Sequence, residues 1–202
     1  MNMKALWLTI YFAVLIWSAV SPKDDLTWLL EVAPALIGFA VLAATHRRFP
    51  LTPLAYWLTL VHMLILMVGG HYTYAEVPLF DWLRDSFHWQ RNNYDKLGHI
   101  AQGFVPALLA REVLLRQAVI NGRAWLNFFV VCFALALSAL YELLEWAVAA
   151  ASGDSAVAFL ATQGDEWDTQ SDMGLALLGA ILALVVLARA HDRQLAALKG
   201  AP

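Results

Sequence analysis

Six apolar stretches, each close to the roughly 20 residues a helix needs to cross a hydrocarbon core, divide this 202-residue chain. They run from about Ala5 to Val20, Leu26 to Thr45, Leu51 to Gly70, Asp95 to Leu115, Trp125 to Ala150 and Asp172 to Ala190. Charged residues make up 14% of the chain and hydrophobic ones 61%. A soluble domain carries about 25% charged residues, so a soluble core of this size is excluded. The expected fold is an all-α polytopic transmembrane helix bundle with six spans. No repeat, linker or charge block divides it, so residues 1-202 read as a single transmembrane domain. The first stretch is short and is followed by Ser18, Ala19, Val20 and Ser21, which also fits a secretory signal peptide. The span reading is favoured because the apolar run reaches the candidate cleavage region and the rest of the chain is membrane-like. Cys132, the single cysteine, lies in an apolar run and is expected to be a buried structural thiol.

Lys and Arg set orientation. Alternate connections hold Lys4, then Arg47 and Arg48, then Arg111, Arg116 and Arg123, then Arg189, Arg193 and Lys199, which is nine of the 13 basic residues. The alternation runs through all six stretches and places both termini in the cytoplasm. Acidic residues segregate the other way. Only Glu112 and Asp192 fall on the inner side, and the other 14 of 16 fall outside or in the outer halves of spans. Asp and Glu contribute little to topology, so another cause must gather them.

The connection from about 71 to 94 mixes Phe80, Trp82, Leu83, Phe87 and Trp89 with Asp81, Arg84, Asp85 and His88. That pattern predicts a short amphipathic helix in the headgroup region, acting either as an interfacial cap or as a lid. Asp95 and His99 are four residues apart and share a helix face near the outer end of the fourth span. Glu142 and Glu145 share a face near the outer end of the fifth, beside Tyr141. Asp168 and Asp172 lead into the sixth, and Glu31 and His62 add polar atoms inside spans two and three. Asp24, Asp25 and Asp154 read as solvated loop charges.

A charge near the membrane centre costs roughly 2.5 to 3.5 kcal/mol on insertion scales. Such groups persist where they pair with Lys96, Arg91 or a protonated His, or where they hold a cation. Mixed His, Asp and Glu ligands suit a divalent metal ion of unspecified identity. The candidate metal ligands are therefore Asp95, His99, Glu142, Glu145, Asp168 and Asp172, and the candidate catalytic groups are Glu142, Glu145 and Asp168. The competing reading is an interhelical hydrogen-bond network that locks the bundle.

Four motifs carry a resemblance: His71-Tyr72-Thr73-Tyr74, Asn93-Tyr94-Asp95-Lys96-Leu97-Gly98-His99, Tyr141-Glu142-Leu143-Leu144-Glu145-Trp146, and Gly164-Asp165-Glu166-Trp167-Asp168-Thr169-Gln170-Ser171-Asp172-Met173. Together they resemble the YjdF-like bacterial inner-membrane proteins, a domain-of-unknown-function family, over nearly the whole chain after the second span. The resemblance implies a multi-pass protein of the bacterial inner (cytoplasmic) membrane. Within these motifs His71, Tyr74, Lys96, Tyr141 and Gln170 are expected to support the candidate ligands. A more distant similarity is to VanZ-like membrane proteins, linked to cell-envelope phenotypes, through Asp95, Lys96, His99 and Glu142. Glu145 stands where that pattern has Gln, which makes this site more acidic and favours a cation.

The sequence lacks a Gly-x-Ser-x-Gly element, the Pro-Ser-Gly-His of lipid phosphatases and a glycine-rich phosphate loop. Two functions are therefore expected as alternatives. One is a metal-dependent enzyme acting on a membrane lipid or cell-envelope intermediate at the outer face. The other is a non-catalytic protein that binds or senses a cation or small ligand, or a structural bundle with a polar network. The inner halves of the spans read as apolar, which argues against a transport pathway. Nothing points to nucleic acid, and oligomeric state stays open.

Overall fold

Helix starts are written into the sequence. The Asn2 side chain accepts the Ala5 N–H at 2.8 Å, Asp24 accepts that of Thr27 at 2.7 Å, and Thr52 accepts that of Ala55 at 3.3 Å. Each satisfies one of the N–H groups that a helix leaves without a partner. Pro53 follows Thr52 at a position where its missing N–H costs nothing. The computed structural model describes residues 2–152 and 163–199. Among the described residues it has seven helices and no strand: α1 (Met3–Ala19), α2 (Asp25–Thr45), α3 (Pro53–Tyr72), α4 (Pro78–Phe87), α5 (Tyr94–Arg116), α6 (Arg123–Ser152) and α7 (Asp168–Lys199).

Four of these, α2, α3, α6 and α7, are long and apolar enough to cross a membrane. The other two long helices miss for different reasons. α1 has only 17 residues. α5 carries Asp95, Lys96, His99, Arg111 and Glu112 but lies innermost, packed against α3, α6 and α7. A helix surrounded by protein can turn polar groups inward without meeting lipid. Hydropathy therefore underrates the helix that matters most.

The six long helices alternate in direction. At one end, Trp28 Nε1 donates to Ser18 Oγ at 3.2 Å, and His71 Nδ1 lies 3.0 Å from the Ser18 carbonyl. At the other end, Trp7 Nε1 donates to the Tyr56 carbonyl at 2.9 Å. Trp7, Tyr11 and Phe39 stack between them, with centroids 5.5 and 4.6 Å apart for Trp7–Tyr11 and Tyr11–Phe39. α5 and α7 run parallel. A Cβ on Gly103 would overlap the Ala176 carbonyl oxygen, and one on Gly179 would overlap that of Ile100. Only glycine lets two backbones approach this closely, the small-residue packing typical of membrane bundles.

Three details differ from the sequence reading. α7 begins at Asp168 rather than near Asp172, because Asp168 is the acidic residue of its first turn and is tied down by two cations. Cys132 is exposed on the outer surface of α6 rather than buried, since an apolar run in a membrane bundle can face lipid as readily as core. Asp154 lies outside the described residues. The expected amphipathic helix is α4. It leaves Leu79, Trp82 and Phe87 exposed, while Arg84 pairs with Asp81 at 2.8 Å and Asp85 at 2.9 Å. Asn92 Nδ2 donates to the Val77 carbonyl and to Asp81, which pins α4 against the start of α5.

Candidate functional site

The close α5–α7 contact sets the site. Asp95 and His99 stand one turn apart on α5, and Asp172 faces them from the first turns of α7. Each of the three offers one ligand atom, and these atoms all lie within 4.8 Å of one another. His99 Nε2 is 3.2 Å from Asp95 Oδ1 and 3.6 Å from Asp172 Oδ2. All three side chains are buried. The second oxygen of each carboxylate is held by a cation: Arg91 reaches Asp95 Oδ2 at 3.4 Å, and Lys96 donates to Asp172 Oδ1 at 2.9 Å. The remaining oxygens are left turned towards the imidazole.

The other ring nitrogen decides what lies between them. His99 Nδ1 is 3.0 Å from Gln102 Oε1. A carbonyl oxygen can only accept, so with the amide in this orientation Nδ1 carries a proton. A neutral His99 would then present a bare Nε2 lone pair to two carboxylate oxygens. Three acceptors facing one another repel, and the arrangement holds only with a proton or a metal ion among them.

Glu142, on α6, approaches from the Nδ1 side, with Oε1 at 3.8 Å. That oxygen is buried and accepts no hydrogen bond. Glu145, one turn along α6, lines a cavity of about 140 Å³ that Asp95 and His99 also line, together with Glu31, His62, Tyr74, Gln102 and Tyr141. Tyr141 donates its hydroxyl to Glu31 at 2.9 Å. Tyr74 reaches the cavity through an unusual turn. Thr73 and Tyr74 both adopt positive φ, 58° and 55°, a conformation costly for side-chain-bearing residues. It lets the Tyr74 ring lie against Gly69 and Gly98, where a Cβ at Gly69 would overlap the ring.

The remaining candidates are distributed as follows. Asp168 is buried, and two cations hold its Oδ1, which accepts from Arg91 at 2.5 Å and from Lys96 at 2.8 Å. Its atoms do not belong to the three-residue group, nor do those of Glu142 and Glu145. His71 is turned away, its ring tilted against that of Trp17 with centroids 4.5 Å apart and its Nδ1 3.0 Å from the Ser18 carbonyl. Gln170 is exposed. Arg91 and Gln102 take larger parts than their sequence positions suggest. Gln102 could have been found from its i+3 relation to His99.

A second polar cluster occupies the opposite end of α5 and α7, where the sequence reads as apolar apart from terminal charges. Glu112 is fully buried and accepts from the Thr52 N–H at 2.9 Å, Thr52 Oγ1 at 2.8 Å, Arg116 at 2.9 Å and His191 Nε2 at 3.0 Å. Arg111 can only donate, and its NH1 lies 3.1 Å from His191 Nδ1. Nδ1 is therefore the acceptor, Nε2 carries the proton, and His191 is neutral. Arg111 also donates to Asp192 at 2.6 Å. This network sutures α3, α5 and α7 and reaches the surface at Asp192, which also lies 3.9 Å from Arg123. A larger cleft of about 470 Å³ lies near it, bounded by Trp7, Phe39, Leu42 and Tyr56, and no carboxylate lines it.

Residues 3–193 match the family model described as "Predicted membrane protein (DUF2238)". The chain belongs to this family. It is 54% identical over 195 residues to "Inner membrane protein YjdF" of Escherichia coli (strain K12), covering 96% of this chain and 92% of that protein. No solved structure matches it. Like this relative, the chain is a multi-pass inner-membrane protein, with four helices suited to crossing. Neither match bears on the VanZ-like similarity.

Proposed function

We propose that the chain is a metal-dependent membrane enzyme of one transmembrane domain, whose site faces outward and acts on a lipid or cell-envelope intermediate. In this reading all six long helices span the membrane, both termini are cytoplasmic, and α4 lies at the outer interface. The observation that carries it is the His99 Nε2 position, with two carboxylate oxygens turned towards it at 3.2 and 3.6 Å. Asp95, His99 and Asp172 would hold a divalent ion, with Gln102, Arg91 and Lys96 fixing how the ligands point. A bound metal ion lowers the pKa of its water to about 7. Glu142, buried on the Nδ1 side of His99 with an unbonded oxygen, would be the base available to accept a proton there. Glu145 and Glu31 flank the adjoining cavity.

A second reading is binding or scaffolding without turnover, favoured by the cations on Asp168 and Asp172: Lys96 bonds both carboxylates and Ser171 at once. In that case His99 is an imidazolium. Elemental analysis of protein purified without chelator separates the two. One equivalent of a divalent metal, lost in Asp172→Asn and His99→Ala, is the expected result. Metal-free wild type of full stability overturns the metal assignment and leaves the ion-pair network.

A further inference from the structure

The cavity beside the metal cluster carries a separate message about what enters it. Its lining includes Glu31, Glu145 and Asp95 but neither Lys nor Arg. Two further polar atoms have no hydrogen-bond partner, His62 Nε2 and the hydroxyl of Tyr74. Tyr74 is 4% exposed and lines the cavity, as does Glu31, so its hydroxyl is an enclosed group at the cavity wall. Buried polar groups without partners are rare and costly. The rest of the wall is apolar: Pro34, Leu66, Leu137, Leu140 and Leu144.

The cavity also has a direction. Leu140 and Leu144 line it yet are 52% and 54% exposed on the surface of the bundle. Apart from the Tyr141–Glu31 bond, α2 and α6 hardly touch among the described residues. The opening is therefore sideways, between α2 and α6, towards the lipid rather than along the bundle axis. A volume of about 140 Å³ holds a head group of a few heavy atoms, not a chain.

We infer that this cavity binds the protonated amine head of a single- or double-chain amphiphile, which enters laterally between α2 and α6 and leaves its tail in the bilayer. An ammonium group brings donors and a positive charge to a space lined with acceptors and carboxylates. A phosphate or carboxylate head would place its negative charge beside Glu31, Glu145 and Asp95 with no Lys or Arg in the lining to pair it. The inference shares Asp95 and His99 with the proposed metal site but does not rest on a metal.

The test uses full-length protein in nanodiscs of zwitterionic lipid, with chelator in every arm so that failure of the metal reading leaves it intact. Binding of dodecylamine, dodecanol and dodecyl phosphate is measured against empty nanodiscs. The expected order is dodecylamine well ahead of both others. Glu145→Gln and Glu31→Gln should each weaken dodecylamine binding roughly 10-fold or more, the scale of a lost hydrogen bond to a charged group, and Tyr74→Phe should weaken it by less. Retained melting behaviour in the Gln variants shows that they are folded, and Cys132→Ser, on the outer surface of α6, serves as a control that binds like wild type. Equal or tighter binding of dodecyl phosphate, or Gln variants that bind as wild type does, overturns the proposal.

Discussion

His99 is the residue at which the two readings of the site part. If it holds a metal ion, His99→Gln and His99→Ala both lose the ion, and chelator lowers the melting temperature of wild type but not of either variant. If it is an imidazolium locked between Asp95 and Asp172, chelator changes nothing. Either variant then removes a buried positive charge at a cost of about 3–5 kcal/mol, the same with and without chelator. Melting curves of the three proteins with and without chelator decide between them. Glu112 gives the opposite kind of expectation. Its carboxylate is fully buried and satisfied by Thr52, Arg116 and His191. Glu112→Ala removes one partner from a buried charged network, a change costing about 3–5 kcal/mol. Thermal unfolding should register it strongly, while metal content and amine binding in the surviving folded fraction stay as in wild type. Asp24 is a milder case at the surface. The Thr27 N–H donating to it holds its carboxyl below the usual carboxylate range. Its contribution to stability is then fully present above that range and fades as pH falls through the depressed value. Asp24→Ala should cost about 1 kcal/mol near neutral pH and progressively less in acid, read from unfolding midpoints across a pH series.

Between elements, the α5–α7 contact matters most, because it both closes the bundle and assembles the cluster. Asp95 and His99 meet Asp172 only because Gly103 and Gly179 let the two backbones touch. A methyl group at either position meets a backbone carbonyl oxygen, which cannot rotate away as a side chain would, so the helices must separate. Gly103→Ala is expected to destabilise the protein by about 1–3 kcal/mol and to reduce bound metal, although Gly103 touches no candidate ligand. Metal content unchanged in a clearly destabilised Gly103→Ala would show that the cluster does not depend on this contact. The same logic applies to the turn after α3: Gly69 and Gly98 leave room for the ring of Tyr74, which adopts a positive φ and lines the cavity.

On the scale of the whole molecule, the alternation of basic residues predicts which compartment each connection faces. In a Cys132→Ser background, single cysteines at Asn121 and at Glu166 should differ towards a membrane-impermeant maleimide applied to intact cells. Glu166 is expected to react, and Asn121 only after the membrane is opened. The reverse pattern would place the cluster on the cytoplasmic side and remove the cell-envelope substrate class from consideration.

Hydropathy, read along one dimension, indicated six long helices near their observed positions, although it missed the first turn of α7. The four-residue spacing of Asp95 and His99, and the shared end of Glu142, Asp168 and Asp172, showed which residues gather at one end, because depth in a bundle follows directly from position along each helix. Rotation about each helix axis does not follow from position. Tertiary packing alone turned Glu142 towards His99 and Glu145 into the adjoining cavity that Asp95 and His99 also line. It tied Asp168 to Arg91 and Lys96, left Asp172 one oxygen to share, and sent His71 to Trp17 and Ser18. It also built the Glu112–His191–Arg111 suture from groups 79 and 80 residues apart. Such pairings depend on which helix faces meet. That is decided by how closely glycine lets two backbones approach, which no single helix records.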